Sequence, residues 1–451
     1  MTSILLRICQ PVRALSISLI PNLLIGISPA TAASPVLIWQ TAISSAAADR
    51  ATGISIDGSG GVYVSGVTFG SIGGINAGSQ DAFVVKFDST FGAQVWARQL
   101  GTSSFDDGNG ISADGMGNVF VVGNAQGDLG GPYQGSTDAF LGKYDSGGNL
   151  SWIKQLGSTG LDWGMGVSTD GSGNALVTGR TTGLLGSVKF GSDDGYLTKF
   201  DASGNTAWTN QFGTGGSEWG KRVAQDTLGN VFVAGAAWGL FDASGQQDFF
   251  VARFDSSGNQ LWVRNLGTAA PDQVNAVSVD GLGNAYVAGI TEGQLGSSNF
   301  GSSDAFVCKF DASGNLVWTQ QIGTTARDSA WAVSADNLGN VYVGGQSATP
   351  TIGAITHSDA FVKKLAGGDG SLEWTFTLPG NVYSDVQGLS VGASGSIYVT
   401  GNSAFSIPTY DAYVLKIVEI PEPASGTFLG ITAFMLLAPN YRRKSIPHNH
   451  V

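Results

Sequence analysis

Cysteine, histidine and charged residues are all scarce in this chain of 451 residues. Of its two cysteines, Cys9 lies in the N-terminal segment, so Cys308 has no partner for an internal disulfide once that segment is removed. His357 is the one histidine before the C-terminal tail, which argues against a Ser-His-Asp triad and a histidine-rich metal site. Charged residues make up 12% of the chain and the formal net charge is -12, so nucleic acid, which needs a basic surface, is not expected as a partner.

Glycine, by contrast, is abundant, with 68 residues, and 42% of the chain is hydrophobic. Glycines between short runs of alternating apolar and polar residues indicate short strands joined by tight turns. The hydrophobic content is high enough to form a core. The composition therefore predicts an all-β fold.

Three sequence markers each occur seven times. The first is an Asp that opens an apolar run, as in "DAFVVKF", at Asp81, Asp138, Asp194, Asp248, Asp304, Asp359 and Asp411. The second is a glycine-rich turn such as "DGMGN", at Asp57, Asp114, Asp170, Asp226, Asp280, Asp336 and Gly392. The third is a tryptophan, at Trp39, Trp96, Trp152, Trp208, Trp262, Trp318 and Trp374. Such periodicity indicates a repeat architecture.

Each repeat contains four strand-like runs, and short Asp/Gly/Asn turns within the first and last pairs predict antiparallel neighbours. Seven units of this kind predict a seven-bladed β-propeller of four-stranded antiparallel blades over residues 36–418. A solenoid is the alternative. The terminal runs 36–43 and 411–417 are each part of a blade, so we expect them to share one blade and close the ring.

The three markers resemble the bacterial SBBP-type β-propeller repeat. The resemblance implies that strands such as "GISAD" are innermost and the tryptophan strands outermost. The pattern D-x-S-G-N-x-x-W also resembles the tryptophan-docking repeat of pyrroloquinoline-quinone dehydrogenases, in which the motif is structural. We therefore expect the seven tryptophans to pack between blades rather than to bind a cofactor.

Both ends of the chain carry processing signals. Residues 1–33 have a basic start, an apolar run and the small residues Ala30-Thr31-Ala32, which predict a secretory signal peptide. Residues 419–451 resemble a PEP-CTERM sorting signal, with Pro421, Glu422 and Pro423, an apolar segment, and Arg442, Arg443 and Lys444. The resemblance implies cleavage by an exosortase-type enzyme after transient membrane anchoring through the tail. We expect an exported protein at the cell surface or in the extracellular matrix.

The Asp turns, as in "FDASGN" at 310–315, are predicted to hold a carboxylate that accepts backbone N–H groups while Gly takes a positive φ. Calcium binding is the alternative, although the turns lack the closely spaced carboxylates and terminal Glu of a calcium loop. No other cofactor is predicted.

An acidic residue precedes the innermost strand in six repeats: Asp49, Asp106, Asp162, Glu218, Asp272 and Asp328. The acids are predicted either to accept backbone hydrogen bonds or to form a cation site at the channel mouth. The seventh repeat has Ser384 at this position, followed by Asp385. A Lys or Arg also recurs in each third strand, which suggests structural salt bridges to these acids.

Ligand recognition is expected where the repeats differ. The candidate ligand-binding residues lie at the beginnings of the innermost strands: Trp163, Trp219, Lys221, Arg222, Asn275 and Trp331. Aromatic and polar side chains in a concave site are suited to a glycan or a peptide, although they could equally fill the channel.

Three hypotheses of function follow. The first is a non-catalytic propeller that recognises a glycan or an envelope protein through its loop face. The second is a polysaccharide lyase or glycosidase that uses carboxylates at the channel mouth, although no carboxylate pair stands out. The third is a purely structural matrix component. The fold of a propeller does not decide among them.

Overall fold

The computed structural model describes residues 33–238, 246–296, 298–348, 358–378, 383–406 and 409–420. Ala33–Ile420 forms one unit, and its regular elements are all β-strands within the described ranges. Residues 1–32 and 421–451, which contain most of the predicted signal peptide and sorting tail, lie outside them. No helix among the described residues is long and apolar enough to cross a membrane.

Five four-stranded antiparallel sheets follow one another along the chain, and the strands of each sheet pair in chain order. Their strands are β2 (Asp49–Ile56), β3 (Gly61–Thr68), β4 (Asp81–Asp88) and β5 (Gln94–Leu100); β6 (Asp106–Ala113), β7 (Val119–Ala125), β8 (Asp138–Tyr144) and β9 (Leu150–Leu156); β10 (Asp162–Thr169), β11 (Ala175–Thr181), β12 (Asp194–Phe200) and β13 (Thr206–Phe212); β14 (Ser217–Gln225), β15 (Val231–Trp238), β16 (Gln247–Phe254) and β17 (Gln260–Leu266); β18 (Asp272–Val279), β19 (Ala285–Thr291), β20 (Asp304–Phe310) and β21 (Leu316–Ile322).

The remaining nine strands form one larger sheet. They are β1 (Ser34–Ile43), β22 (Asp328–Ala335), β23 (Asn340–Ala348), β24 (Ser358–Ala366), β25 (Leu372–Leu378), β26 (Tyr383–Ser384), β27 (Gly388–Val391), β28 (Ile397–Ser406) and β29 (Thr409–Ile420). Strands β22 to β25 pair in the same order as the other repeats, and β27, β28, β29 and β1 pair as a further set of four. The short β26 joins the two sets by pairing with β24 and β28. The N-terminal and C-terminal strands therefore lie side by side, with Trp39 opposite Lys416.

The core lies between the faces of neighbouring sheets. The second and third strands of each repeat are rich in β-branched and aromatic residues, and their side chains are almost fully buried. For example, Phe249 of β16 stacks on Phe306 of β20 with ring centroids 4.9 Å apart. Full burial of such a side chain contributes about 1.5–3 kcal/mol, so each sheet is stabilised by its neighbours.

The Asp turns have the predicted hydrogen bonds. Asp311 Oδ1 accepts the backbone N–H groups of Ser313 and Asn315, both at 2.9 Å, and Oδ2 accepts the side-chain amide of Asn315 at 2.8 Å. These bonds, above all that from the Asn315 side chain, lower the pKa of Asp311. Gly314 has φ of 81°, as expected for a glycine in this turn. The same bonds recur at Asp145, Asp201 and Asp255.

Six of the seven outermost-strand tryptophans pack on the Asp turn of the next repeat, and the seventh, Trp374, packs in a cluster with residues of β27, β28 and β29 instead. Trp262 Nε1 donates to Ala312 O at 3.2 Å, and its ring lies against Gly314. Equivalent indole hydrogen bonds join Trp39 to Ser89 O, Trp96 to Ser146 O, Trp152 to Ala202 O and Trp318 to Gly367 O. The predicted packing of these tryptophans between neighbouring units is confirmed.

The basic residues of the third strands do not bind the acids that precede the innermost strands, so the suggested salt bridges to those acids are wrong. Lys86 Nζ donates to Ser146 O, Lys309 to Gly367 O and Lys416 to Ser89 O, at 2.6–3.2 Å. Their ammonium groups also lie over tyrosine rings, as Lys86 does over Tyr63 at 5.0 Å. These cations bind the same turn carbonyls as the tryptophans.

We predict that Gly314→Ala destabilises the protein more than Gly395→Ala does. Both glycines have positive φ, so either alanine costs about 1–2 kcal/mol of backbone strain. A Cβ at Gly314 would also lie 2.8 Å from the Trp262 ring, whereas one at Gly395 meets no atom within 4 Å. Overpacking at Gly314 adds roughly 1–3 kcal/mol, measurable by denaturant unfolding of both variants. Equal losses would contradict the proposed role of this contact.

Candidate functional site

A β-bulge occurs at the same place in six innermost strands. In each, the register to the second strand skips one residue, and the six positions hold five residue types: Thr52, Asn109, Met165, Lys221, Asn275 and Trp331. Gln387 occupies the corresponding place between β26 and β27. A bulge redirects its extra side chain. The repeat therefore keeps the backbone of this position constant while its chemistry varies.

A cavity of about 170 Å³, here called the axial cavity, is lined by residues of all seven innermost strands. Its polar lining includes the bulge residues Thr52 and Asn109, together with Gln387 and Arg222. Trp331 contributes an aromatic side chain, and the other lining residues are glycine or aliphatic. Arg222 is the one charged lining residue, and no carboxylate lines the axial cavity.

Two adjacent cations, Lys221 and Arg222, lie at the bulge of β14. Arg222 Nη1 donates to Met165 O at 2.9 Å and to Lys221 O at 3.1 Å, which fixes the guanidinium between β14 and β10. Burial, and secondarily the charge of Arg222, lowers the pKa of Lys221 to about 8. Burial also lowers the pKa of Arg222.

Three tryptophans and an arginine form a stack across β10, β11, β14 and β15, here called the tryptophan–arginine stack. Arg180 Cζ lies 4.0 Å from the ring centroid of Trp163 and 4.1 Å from that of Trp219. Trp238 follows, with its ring centroid 4.6 Å from that of Trp219. Asp193 lies 3.7 Å from Arg180, at the end of the guanidinium. A desolvated cation between two indoles is a strong cation–π arrangement, so it fixes the orientation of both rings.

A separate cluster of polar residues surrounds Asp385. Its carboxylate accepts Tyr383 OH at 2.8 Å, Gln387 Nε2 at 2.9 Å and the backbone N–H of Asn402 at 2.8 Å. These residues and Arg50 line a cavity of about 330 Å³, in which Asp385 is the one acidic lining residue. Burial raises the pKa of Asp385 despite these hydrogen bonds.

The acids that precede the innermost strands are buried and bind their own loops. Asp106 Oδ2 accepts the backbone N–H of Thr102 at 2.6 Å and its hydroxyl at 2.9 Å. Asp49, Asp162, Glu218, Asp272 and Asp328 bind the Ser or Thr four residues earlier in the same way. In the seventh repeat Ser384 takes this place, and its hydroxyl accepts the Ala360 N–H at 2.8 Å. Among the described residues no group of three or more His, Cys, Asp or Glu could hold a metal ion. The cation site stays a prediction.

The structure brings together some of the residues singled out from the sequence and separates others. Trp163 and Trp219 share the tryptophan–arginine stack, and Arg222 and Trp331 line the axial cavity. Asn275 instead donates its side-chain amide N–H to Ala330 O at 3.0 Å, and this hydrogen bond joins two innermost strands.

Sequence analysis missed Arg180 and Trp238. Arg180 lies on β11 directly opposite Trp163, and Trp238 ends β15. The signal was present in the repeat: the positions equivalent to Arg180 hold Val67, Asn124, Ala236, Ile290 and Gln346, so a charged residue there departs from the pattern.

Known proteins share the repeat and the fold. A family model described as "Beta-propeller repeat" (SBBP) matches residues 95–130, 151–186, 207–242 and 261–296. The regulatory protein FlaEY of Caulobacter vibrioides is 27% identical over 225 residues, which is 46% of this chain and 23% of FlaEY. An uncharacterized WD repeat-containing protein, L264, of Acanthamoeba polyphaga mimivirus is 22% identical over 41% of this chain and 18% of its own. This chain thus spans under a quarter of the length of these relatives.

Two solved structures have the same architecture. A polysaccharide lyase of family PL25, an ulvan lyase, superposes with a TM-score of 0.51 at 10% identity, over 83% of this chain and 96% of its own. The polysaccharide lyase Uly1 gives a TM-score of 0.50 at 11% identity, over 85% of this chain and 99% of its own. Identities this low bear on the fold alone. Together with the four-stranded antiparallel sheets, they show that the fold is all-β and propeller-like.

We predict that Asp106→Asn is tolerated at neutral pH and changes the pH dependence of stability. Burial, opposed by the Thr102 bonds and aided by Asp81, raises the pKa of Asp106. A raised folded-state pKa means that this carboxyl favours folding in acid and loses that contribution as pH rises through its folded pKa. The wild type should therefore gain stability relative to Asp106→Asn as pH falls from about 7 toward about 4, measured by denaturant unfolding.

Asp311→Asn is the matched control because hydrogen bonds lower the pKa of Asp311, so its trend should have the opposite sign. The same trend in both variants would contradict the assignment. A calcium-dependent rise in Tm that Asp106→Asn abolishes would support the cation site instead.

Proposed function

We propose that the seven sets of four strands close into a seven-bladed ring. Three observations support closure. Ile54 and Val62 of the first sheet pack in one cluster with Tyr398 and Val414 of β28 and β29. The Ala51 N–H donates to Asn402 Oδ1 at 2.9 Å, which joins β2 to β28. The axial cavity has a wall from every innermost strand, as the centre of a closed ring requires.

We propose that the protein is an exported, non-catalytic binding propeller that recognises a polysaccharide beside the axial cavity. The single observation that carries this proposal is the tryptophan–arginine stack, which holds indole rings in fixed orientation at the beginnings of the innermost strands. Trp163, Trp219 and Trp238 are half-buried, so part of each rigid ring remains accessible to the apolar faces of sugar rings, which can pack there at a low entropic cost. Asn109 and Gln387 each donate a side-chain N–H within the protein, to Gly164 O and to Asp385, and their amide oxygens supply hydrogen-bond acceptors that select the sugar.

An enzyme that acts on a polysaccharide is the second candidate. The fold is shared with two polysaccharide lyases, and one of them is described as bound to -[GlcA(1-4)Rha3S]-. Asp385 favours this candidate because a buried carboxyl with a raised pKa beside a cavity can act as a general acid. A two-carboxylate glycosidase is disfavoured there, since Asp385 is the one acid that lines that cavity.

We predict that a Trp163→Ala/Trp219→Ala double variant binds polysaccharide at least about tenfold more weakly than the wild type. Each lost stacking surface removes roughly 1 kcal/mol or more of contact free energy. Affinity electrophoresis against a panel of neutral and acidic polysaccharides measures the effect. Phe91→Ala is the control, because Phe91 is 80% exposed on the β4–β5 turn and lies outside the stack.

The outcome of the same panel separates the candidates. If polysaccharides retard the double variant as much as the wild type, binding at the stack is contradicted. If the protein binds an envelope protein and no polysaccharide, the ligand is a protein rather than a glycan. Shortening of any polysaccharide by the wild type, abolished in Asp385→Asn, would favour the enzyme.

We also propose that the chain is exported through residues 1–33 and anchored, then released at the cell surface, through residues 419–451. The support is the order of Pro421-Glu422-Pro423, the apolar segment and Arg442 to Lys444 in the sequence. Mass spectrometry of the surface-released protein is expected to find a C-terminus near Pro423. An intact Arg442–Lys444 segment on that form would contradict the proposed sorting.

A further inference from the structure

The axial cavity has the opposite electrostatic character to the rest of the protein. The chain carries 34 acidic and 22 basic residues, yet the axial cavity is lined by Arg222 and by no carboxylate. Lys221 precedes Arg222 at the bulge of the same strand. The chemistry of this position therefore favours an anion, even though the protein as a whole is acidic.

Neither cation has a counter-ion among the described residues. The ion pairs of that part of the chain involve Arg180 and Lys364, and neither Lys221 nor Arg222. The acids that begin β14 and the next innermost strand, Glu218 and Asp272, bind Thr214 and Thr268 of their own loops. Placing two positive charges side by side in a partly desolvated site costs free energy that no acid of the described chain offsets.

The hydrogen bonds of Arg222 leave it oriented for a ligand. Nη1 is held by the carbonyl oxygens of Met165 and Lys221, which pins one side of the guanidinium to the strands. A guanidinium can offer further donors in its plane, and paired donors match the oxygens of a carboxylate or a sulfate. Asn109, Gln387 and Thr52 line the same cavity as additional polar groups.

We propose that Arg222, which lines the axial cavity, binds an anionic substituent, a carboxylate or a sulfate ester, of an acidic polysaccharide there, and that the neighbouring charge of Lys221 strengthens the attraction. This proposal rests on the proposed polysaccharide binding and specifies its ligand class. The tryptophan–arginine stack provides the sugar-stacking surface close by in the sequence, since Trp219 precedes Lys221 by two residues. The cavity of about 170 Å³ has room for a substituent and not for a long segment of polymer.

Charge-matched pairs of polymers test the proposal. The probes are polygalacturonate with its fully methyl-esterified form, and dextran sulfate with dextran, each pair sharing a backbone and differing in charge. We expect the wild type to bind at least one charged polymer about tenfold or more tightly than its neutral partner, because a charge-assisted pair is lost with the charge. Arg222→Met and Lys221→Met should each remove most of that difference and leave the neutral polymer unaffected.

Lys154→Met is the matched control. It removes the same charge from β9, an outermost strand remote in sequence from the bulge of β14. Lys221→Met keeps the Arg222 hydrogen bonds, because these go to backbone carbonyl groups. It therefore tests the loss of charge even if Arg222→Met fails to fold. Equal weakening by Lys154→Met and Arg222→Met would show non-specific attraction, and equal binding of both members of each pair would overturn the proposal while leaving polysaccharide binding intact.

Inorganic sulfate is a second probe, which tests the anion site directly even if none of these polymers binds. We expect sulfate to raise the Tm of the wild type relative to chloride at equal ionic strength, and Arg222→Met to abolish the rise. The effect should weaken from about pH 7 to about pH 10, since Lys221 loses its proton near pH 8, and Lys221→Arg should keep it across that range. A sulfate effect that is the same in Arg222→Met would refute the anion site, whatever the polymers do.

Discussion

The contact of an outermost tryptophan with the Asp turn of the next repeat, made by six of the seven tryptophans, is the interaction on which the rest of the structure depends. The indole donates to a turn carbonyl, and its ring needs a glycine that presents no Cβ, as Trp262 does with Ala312 and Gly314. This contact joins the outermost strand of one sheet to the last turn of the next sheet. Since the described residues include no disulfide, these contacts and the buried inter-sheet faces hold the units together.

Because the tryptophan contacts and the inter-sheet core hold the sheets together, the residue type at the bulge of each innermost strand can vary between repeats. The bulge keeps its place in six repeats while its residue changes from Thr52 to Trp331. Acids such as Asp106 hold the loop that leads into each of these strands, by accepting hydrogen bonds from the Ser or Thr four residues earlier. Their repetition thus has a structural cause within the described chain, and the side chains that differ between repeats are the ones left to recognise a ligand.

The parts of the structure that repeat could be predicted from the sequence, and the parts that occur once could not. Seven copies of the tryptophan and of the glycine turn indicate strand order and packing without any coordinates, because only a shared backbone geometry explains them. Arg180 departs from the repeat pattern, but its contact with Trp219 joins two different sheets, and no spacing along the chain encodes that contact. Ser384 takes the loop-acid position in the seventh repeat, as the alignment of the repeats places it, but the sequence did not show that Asp385 accepts hydrogen bonds from Tyr383 and Gln387.

An acidic protein can bind an acidic polymer because electrostatic interactions in water are short-ranged. At physiological ionic strength the interactions between exposed charges are largely screened beyond about 8 Å, so an exposed acid acts mainly on its immediate surroundings. Lys221 and Arg222 lie in surroundings of lower polarity, where attraction for an anion is screened much less. The outer acids then repel polymer from most of the surface and leave this position as the favourable one. A negative net charge combined with a local positive charge at Lys221 and Arg222 therefore favours binding of the acidic polymer at the axial cavity.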